Sequence, residues 1–460
     1  MSTVHPPRPV RRVLVFCIVA FALLMMSVDS TIVATALHSL QLGLDTSINW
    51  AGWTLTAYSL GFVLMLPISG KLCDRYGRRR VFLGSVLAFT VASFCCALAN
   101  DIFVLIALRV VQAAGGAGFT PSATGIVVEH FGAARDRAVS LFGSIFPIGA
   151  MIGPIFGGLI VSYWSWRAIF FVNVPIGVLI LALAWRHVPR DALRAPATRV
   201  RMDVSGMGLL CAGLLAGMLA VSCLGERYGR LWSPLFLSTA LVATAALWRF
   251  FRHVERSKDP FIAPHLIHGP GFGAVNLVNV VYGGMTTGVM VLVPLYATNR
   301  YGLDAFDSGM LLVAQGVTAI VFSIAATLVL RRTGYRIPLY VGGTAIGAGL
   351  LLVALPPVTG SPYAWLTGAA LLVGAGRGTI NPASRNAGLQ LAPDDASTLA
   401  ALRSAAMQIG SITTVSIVTA ILAVSAHPGI TQAWIYAAAA ILLAVALRLV
   451  GRVPEHHGGW

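Results

Sequence analysis

Along the chain, long apolar runs alternate with short polar breaks. A helix rises about 1.5 Å per residue, so about 20 apolar residues suffice to cross about 30 Å of hydrocarbon. The pattern predicts fourteen spans, over residues 13–38, 50–70, 81–99, 101–128, 136–162, 166–187, 204–224, 232–252, 271–298, 306–330, 337–355, 363–391, 396–426 and 431–450. The expected fold class is all-α and integral to a membrane. Two basic breaks stand out, Val188 to Asp203, rich in Arg, Pro and Ala, and the stretch at Arg256-Ser257-Lys258. They divide the chain into an N-terminal six-helix bundle (1–187), linkers with two inserted helices (188–258) and a C-terminal six-helix bundle (259–460).

Composition agrees with a bilayer as the solvent. The chain is 57% hydrophobic and 10% charged, against about 25% charged for soluble proteins. The net charge of +16 suggests nucleic acid until its distribution is read. Of the 32 Lys and Arg, 24 fall in termini and loops on one side; Arg167, Arg227, Arg230 and Arg300 fall on the other. Arg109, Arg377, Arg385 and Arg403 lie in or at the ends of spans. Short cationic loops stay cytoplasmic. The charge therefore encodes topology, with both termini cytoplasmic and no nucleic-acid partner. Nine of the ten Trp lie at predicted span ends, as an aromatic belt requires. Arg8, Arg11 and Arg12 before an apolar run imitate a secretory leader, but the run continues to about Leu37 without a convincing cleavage site, so an uncleaved first span is expected. The six Cys show no CxxC and no paired extracellular spacing, so neither a metal site nor a disulfide framework is expected.

The break between the second and third spans is the most informative. It reads Gly70-Lys71-Leu72-Cys73-Asp74-Arg75-Tyr76-Gly77-Arg78-Arg79-Arg80, with five cations in ten residues. A tight interhelical loop is expected there, with Gly70 and Gly77 supplying backbone freedom. The pattern resembles the loop between the second and third helices of major facilitator superfamily transporters. Six plus two plus six spans is the layout of the fourteen-helix drug:proton antiporters of that superfamily. The inserted pair then looks peripheral to transport. In this reading Asp74, with Arg75 and Arg78 between Gly70 and Gly77, forms a conformational latch against the other half, near Ser397. A weak internal repeat supports two halves: Arg331 to Arg336 repeats the loop without its Asp, and Gly115 to Pro121 matches Gly376 to Pro382 in spacing.

Asp29 is the acidic residue well inside a span, with Glu129 at the cytoplasmic end of the fourth as its nearest competitor. A carboxylate at such depth costs about 2.5–3.5 kcal/mol on insertion scales, so it should face a cavity or a partner. Desolvation favours its neutral form and a nearby guanidinium its charged form, so its hold on a proton can change with conformation. The stretch Asp29 to Leu37 resembles the first-helix motif of the antiporter family. Arg109 begins Arg109-Val110-Val111-Gln112-Ala113-Ala114-Gly115-Gly116, which resembles that family's R-x-x-Q-G-x-G motif with Ala114 in a glycine position. An arginine stays charged and requires acceptors when buried. Asp29 is the candidate anion, and snorkelling to the interface is the alternative.

In the fifth span, Gly149, Gly153 and Gly157 recur every four residues, with Pro154 and Gly158 beside them. Small residues in that register allow close helix packing, and the proline frees a backbone group for bending. The stretch is similar to the antiporter motif of the family, which implies export. Asn173 follows a sixth-helix entry that also resembles the family. Gln112, Asn173, Asn276, Asn279, Gln315, Asn381 and Gln408 are candidates for a substrate cavity, and each could equally be helix-packing glue. Arg403 matches a recurrent position of the family's penultimate helices.

His265 and His268 lie one turn apart without an acidic or Cys neighbour, so no metal is expected. There is no P-loop, so a proton gradient rather than ATP or a cofactor is the expected driving force. The chain is expected not to be an enzyme, since paired catalytic carboxylates and nucleophile motifs are absent. The expectation is a monomeric, multi-pass protein of a bacterial inner or cytoplasmic membrane. It would export small organic compounds, cationic or amphipathic, in exchange for protons; export of one endogenous metabolite or self-made antibiotic is the alternative.

Overall fold

The computed structural model describes residues 12–130, 135–189, 203–224, 233–257, 260, 264, 272–357, 360–391 and 396–453. Eleven of its helices are long and apolar enough to cross a membrane. Three more reach spanning length, Ile48–Tyr76, Arg135–Tyr163 and Pro362–Leu391. The protein is thus a multi-pass, all-helical membrane protein. Its third span, Arg78–Leu98, shows the logic of the whole. Leu87, Val91, Phe94 and Leu98 are exposed and recur every three or four residues, a stripe for lipid. Phe82, Val86, Phe89, Ser93 and Cys96 are buried on the opposite face.

The span order follows the predicted pattern, with local differences that have physical causes. Helix Arg12–Thr35 breaks at Ala36 and continues as Leu37–Gly43. The hydrophilic stretch expected as a loop is helical almost throughout: the second span runs to Tyr76, and the third restarts at Arg78. Lys and Arg are good helix formers, so the helix simply continues beyond the hydrocarbon. Gly77 alone turns the chain, at φ 93°, a conformation that side chains with a Cβ rarely adopt. Gly70 sits inside the helix with open space around it, so its expected turn role is corrected. Gly334, at φ 68°, opens a similar two-residue break, with Tyr335, between Ala305–Thr333 and Arg336–Ala354 in the second half.

The fourth span is Ile102–Ala117 continued by Phe119–His130, and Asp101 caps its start by accepting from the Phe103 and Val104 amides at 2.8 and 3.0 Å. The sixth is Ala168–Phe171 followed by Asn173–His187. The ninth, Phe272–Gly283, passes through a π turn at Gly284–Val289 before Val293–Tyr301. That wide turn lies against the thirteenth span, Ala396–Ala423, with bare backbone facing backbone at Gly288 and Ser411. Pro428–Val450 closes the chain.

The two six-span halves meet at the end away from the basic loop. There an apolar cluster joins Ile32, Leu37 and Phe170 to Leu292, Leu295 and Val418. The fifth span lies along the tenth: a Cβ on Gly158 would come 2.7 Å from the Phe306 Cα, and one on Gly309 2.5 Å from the Pro154 carbonyl.

The inserted pair is Val204–Leu224 and Pro234–Arg256, joined at its base by Asp203 and His253 at 2.7 Å. Only its second helix is peripheral, packing chiefly on the first. Helix Val204–Leu224 packs on the second and thirteenth spans, where Met218 meets Trp53, Ala57 and Ile412. Trp53 Nε1 donates to Ser222 Oγ at 2.5 Å, and Asn49 Nδ2 donates to the Ser222 carbonyl at 3.1 Å. Trp53 is therefore buried rather than in an interfacial belt, and Trp166 is buried beside Gly43, whereas Trp164, Trp185, Trp248 and Trp434 are exposed.

Candidate functional site

Five spans of the first half converge on one carboxylate. Asp29 and Arg109 are both fully buried, with Arg109 Nη1 2.7 Å from Asp29 Oδ2. Arg109 and Gln112 stand three residues apart, hence on one helix face. Gln112 accepts from Arg109 Nη1 at 2.6 Å and donates through Nε2 to Asp29 Oδ1 at 3.0 Å and to Ser93 Oγ at 2.7 Å. Asn173 Nδ2 donates to the same Asp29 Oδ1 at 2.7 Å. The carboxylate thus collects three donors, and the guanidinium anchors itself by donating from Nε to the Thr54 carbonyl at 3.2 Å. Arg109 Nη2 finds no hydrogen-bond acceptor. It is roofed by aromatic faces instead, the Tyr58 ring centroid 4.1 Å and the Phe170 centroid 5.6 Å from the guanidinium carbon.

The arrangement explains how a charge survives here. Ionised groups are tolerated away from water only when paired and fully hydrogen-bonded. Arg109 does not snorkel; it points inward, opposite the exposed Val104 and Val111 of the same helix.

Beside this cluster lies a cavity of about 230 Å³ between the halves. Met26, Ser30, Tyr58 and Phe62 line it from one side, Gln408 and Ser411 from the other, and among the described residues its lining contains no charged side chain. Ser30 is the next residue after Asp29, and Tyr58 belongs both to the cavity wall and to the roof over Arg109.

Of the expected cavity residues, Gln408 lines this space. The others lie elsewhere. Gln112 and Asn173 close on Asp29, because a buried carboxylate draws every nearby amide donor. Gln315 Nε2 donates to the Thr286 carbonyl at 3.3 Å. Asn279 accepts from Ser384 at 2.6 Å, Ser384 accepts from Arg403 Nε at 3.0 Å, and Asn381 accepts from Arg403 Nη2 at 2.5 Å, which ties three second-half spans together. Asn276 is half-buried outside the cavity lining.

The glycines of the fifth span face the first. A Cβ on Gly149 would come 2.5 Å from Ser27 Cβ, and one on Gly153 or Gly157 would come 2.9 Å from the Val28 or Ile32 carbonyl. Pro154 is buried in that helix, which runs on through it, and Gly158 faces the other half.

Around the basic turn, Arg78 bonds within its own half, to the Gly125 carbonyl at 2.5 Å and to Glu129 at 3.2 Å. Arg79 donates to the Trp185 carbonyl at 2.6 Å, and exposed Arg75 lies over Tyr76. The side chains of Asp74 and Ser397, like His265 and His268, lie outside the described residues. Among the described residues, no cluster of His, Cys, Asp and Glu could hold a metal, and no disulfide joins the Cys.

Tyr58 and Ser93 were not singled out by the sequence. The available signal was Tyr58 four residues after Thr54, one turn along the face that turns toward Arg109.

Two inward-packed halves around a central cavity define a membrane transport protein. Solved structures share this fold. A POT family transporter in complex with 5-aminolevulinic acid superposes with TM-score 0.69 at 15% identity, covering 95% of this chain and 96% of that one. The xylose transporter XylE from E. coli superposes with TM-score 0.65 at 15% identity, covering 98% and 99%. The Major Facilitator Superfamily description matches residues 19–205, 200–415 and 275–459, and the chain belongs to that superfamily. Its sequence is 31% identical over 437 residues to a methylenomycin A resistance protein of Streptomyces coelicolor, covering 93% of this chain and 88% of that protein. It is 32% identical over 408 residues to a multidrug resistance protein B homolog of Mycobacterium tuberculosis, covering 88% and 74%. It is 30% identical over 403 residues to the puromycin resistance protein pur8 of Streptomyces alboniger, covering 85% and 78%.

Proposed function

We propose that the protein is a secondary active exporter that exchanges protons for small organic compounds, cationic or amphipathic. The observation that carries this reading is the buried Asp29–Arg109 pair, one residue from the wall of the cavity between the halves. A carboxylate can release and regain a proton there without any cofactor, and its balance depends on a guanidinium held by packing. The resistance functions in the names of the relatives support export as the direction.

The described wall of the cavity carries no charge, so its shape, aromatic faces and hydroxyls suit amphipathic molecules. With the basic turn on the cytoplasmic side of a bacterial inner membrane, both termini are cytoplasmic and this conformation is sealed toward the outside. Rocking of units 1–187 and 259–460, each moving as a bundle in a monomer, would then expose the cavity alternately. The Asp74 turn is the proposed cytoplasmic latch: Asp74→Asn should slow turnover severalfold with substrate affinity within a few-fold, and wild-type turnover would sink it.

A narrower reading, export of a single compound, is favoured by relatives named for one antibiotic each. Efflux of a compound panel from cells, with and without a proton uncoupler, tests both readings. Uncoupler-sensitive efflux of many compounds supports the broad reading, and of one compound the narrow one. Efflux indifferent to the uncoupler contradicts proton exchange.

A further inference from the structure

Tyr58 stands where the cavity and the ion pair meet. The side chain is 4% exposed, and its ring lies 4.1 Å from the Arg109 guanidinium carbon while forming part of the cavity wall. The part of the guanidinium without a hydrogen-bond acceptor, Nη2, belongs to the group that this ring roofs. Phe62, one turn further along, stacks on Tyr58 at 6.5 Å with a 14° tilt and continues the wall. The Tyr58 hydroxyl is buried and has no hydrogen-bond partner; a Cβ on Gly116 would come 3.4 Å from it. The contacts to Arg109 and Phe62 are made by the ring. The charged or titratable groups around it are Asp29 and Arg109, with Cys96 behind Gln112.

We infer that Tyr58 is a positioning residue that makes a cation in the cavity and a proton on Asp29 mutually exclusive, by offering one aromatic ring to two cations. The inference rests on the proton-exchange reading above. While Asp29 is ionised, Arg109 is neutralised by it, and the cavity side of the ring is free to receive an organic cation. When the carboxyl takes a proton from water, the Arg109 charge loses its counterion. The ring is then the compensation left to Nη2, and a second cation on the same ring is repelled. Conversely, a cation seated on the ring favours return of that proton from Asp29 to water. An aromatic face attracts cations through its quadrupole, and an aliphatic side chain of similar bulk has none.

The test uses the full-length protein in lipid nanodiscs and tetraphenylphosphonium as the probe cation. Binding and proton release are measured together, in weakly buffered solution with a pH dye. Unaltered protein should release protons on binding, and Asp29→Asn should release none. Tyr58→Phe should keep the release per bound probe within about twofold of unaltered protein. Tyr58→Leu and Tyr58→Met should bind the probe yet release at least fivefold fewer protons per probe bound; Met preserves more bulk should Leu fail to fold. Undiminished release from either folded variant, or loss of release in Tyr58→Phe, overturns the role of the ring while leaving proton exchange intact. Equal release by Asp29→Asn and unaltered protein overturns the proton-exchange reading itself. Failure of the unaltered protein to bind the probe, or to release protons on binding, overturns the cation-exclusion proposal.

Discussion

The Asp29 carboxylate is held by three side chains from two other spans, so the contributions of its partners should not be equal. Removing one member of a buried pair typically destabilises by about 3–5 kcal/mol, because the other charge is left in a medium that cannot solvate it. Arg109→Ala should therefore lower thermal stability sharply. Arg109→Ala with Asp29→Asn should recover part of the loss, since the amide carries no charge. Arg109→Lys should rescue Arg109→Ala only in part, because an ammonium cannot reach Asp29, Gln112 and the Thr54 carbonyl with one planar fork. Thermal unfolding in detergent checks the series, and strictly additive changes would mean that the two residues do not act as a pair. At this scale the sequence was informative about Asp29 and Arg109, because charges inside apolar runs are conspicuous. It was uninformative about Gln112 and Asn173, whose amides look alike whether they face a cavity or a carboxylate. Tyr58 was hidden among aromatic residues that any span can carry.

At the scale of the helix, the fifth span is defined by what it lacks. Gly153 lets the Val28 carbonyl approach to a distance that no side chain allows. Gly153→Leu should cost about 1–3 kcal/mol of overpacking, enough to trap one arrangement without unfolding the protein. The expected phenotype is normal membrane abundance with transport lost, and full activity with Leu at both Gly153 and Gly157 would contradict it. The glycine spacing was legible because four-residue recurrence leaves a periodic trace. The hydrophilic stretch before Gly77 looks like a loop in sequence but is helical, since polarity marks the edge of the hydrocarbon and not the end of a helix. The position of helix Val204–Leu224 was not legible at all: Ser222 is an ordinary hydroxyl until Trp53 and Asn49 meet it.

Across the whole molecule, closure at one end rests on side chains from both halves and on the inserted helix. A Cβ on Gly52 would lie 3.1 Å from Thr419 Cβ, close to the separation of about 3.5–4.5 Å in disulfides. Gly52→Cys with Thr419→Cys, in a background without the six native Cys, should cross-link on oxidation and stop transport until reduced. Trp53→Phe keeps the aromatic bulk but removes the bond to Ser222, about 0.5–1.5 kcal/mol. In that background it should lower the cross-linking rate severalfold, and an unchanged rate would make the inserted helix a bystander to closure.

Whether one buried carboxylate links proton movement to export, as proposed above, is tested most directly in proteoliposomes. Purified protein is reconstituted with a pH dye inside, and a compound that cells export in an uncoupler-sensitive way is added as an outward or inward gradient. The unaltered protein should move protons opposite to the compound, and a pH gradient alone should concentrate the compound on the acidic side. Asp29→Asn should equilibrate the compound downhill at most, with no counterflow of protons. Uphill accumulation by Asp29→Asn at the wild-type level would contradict the account.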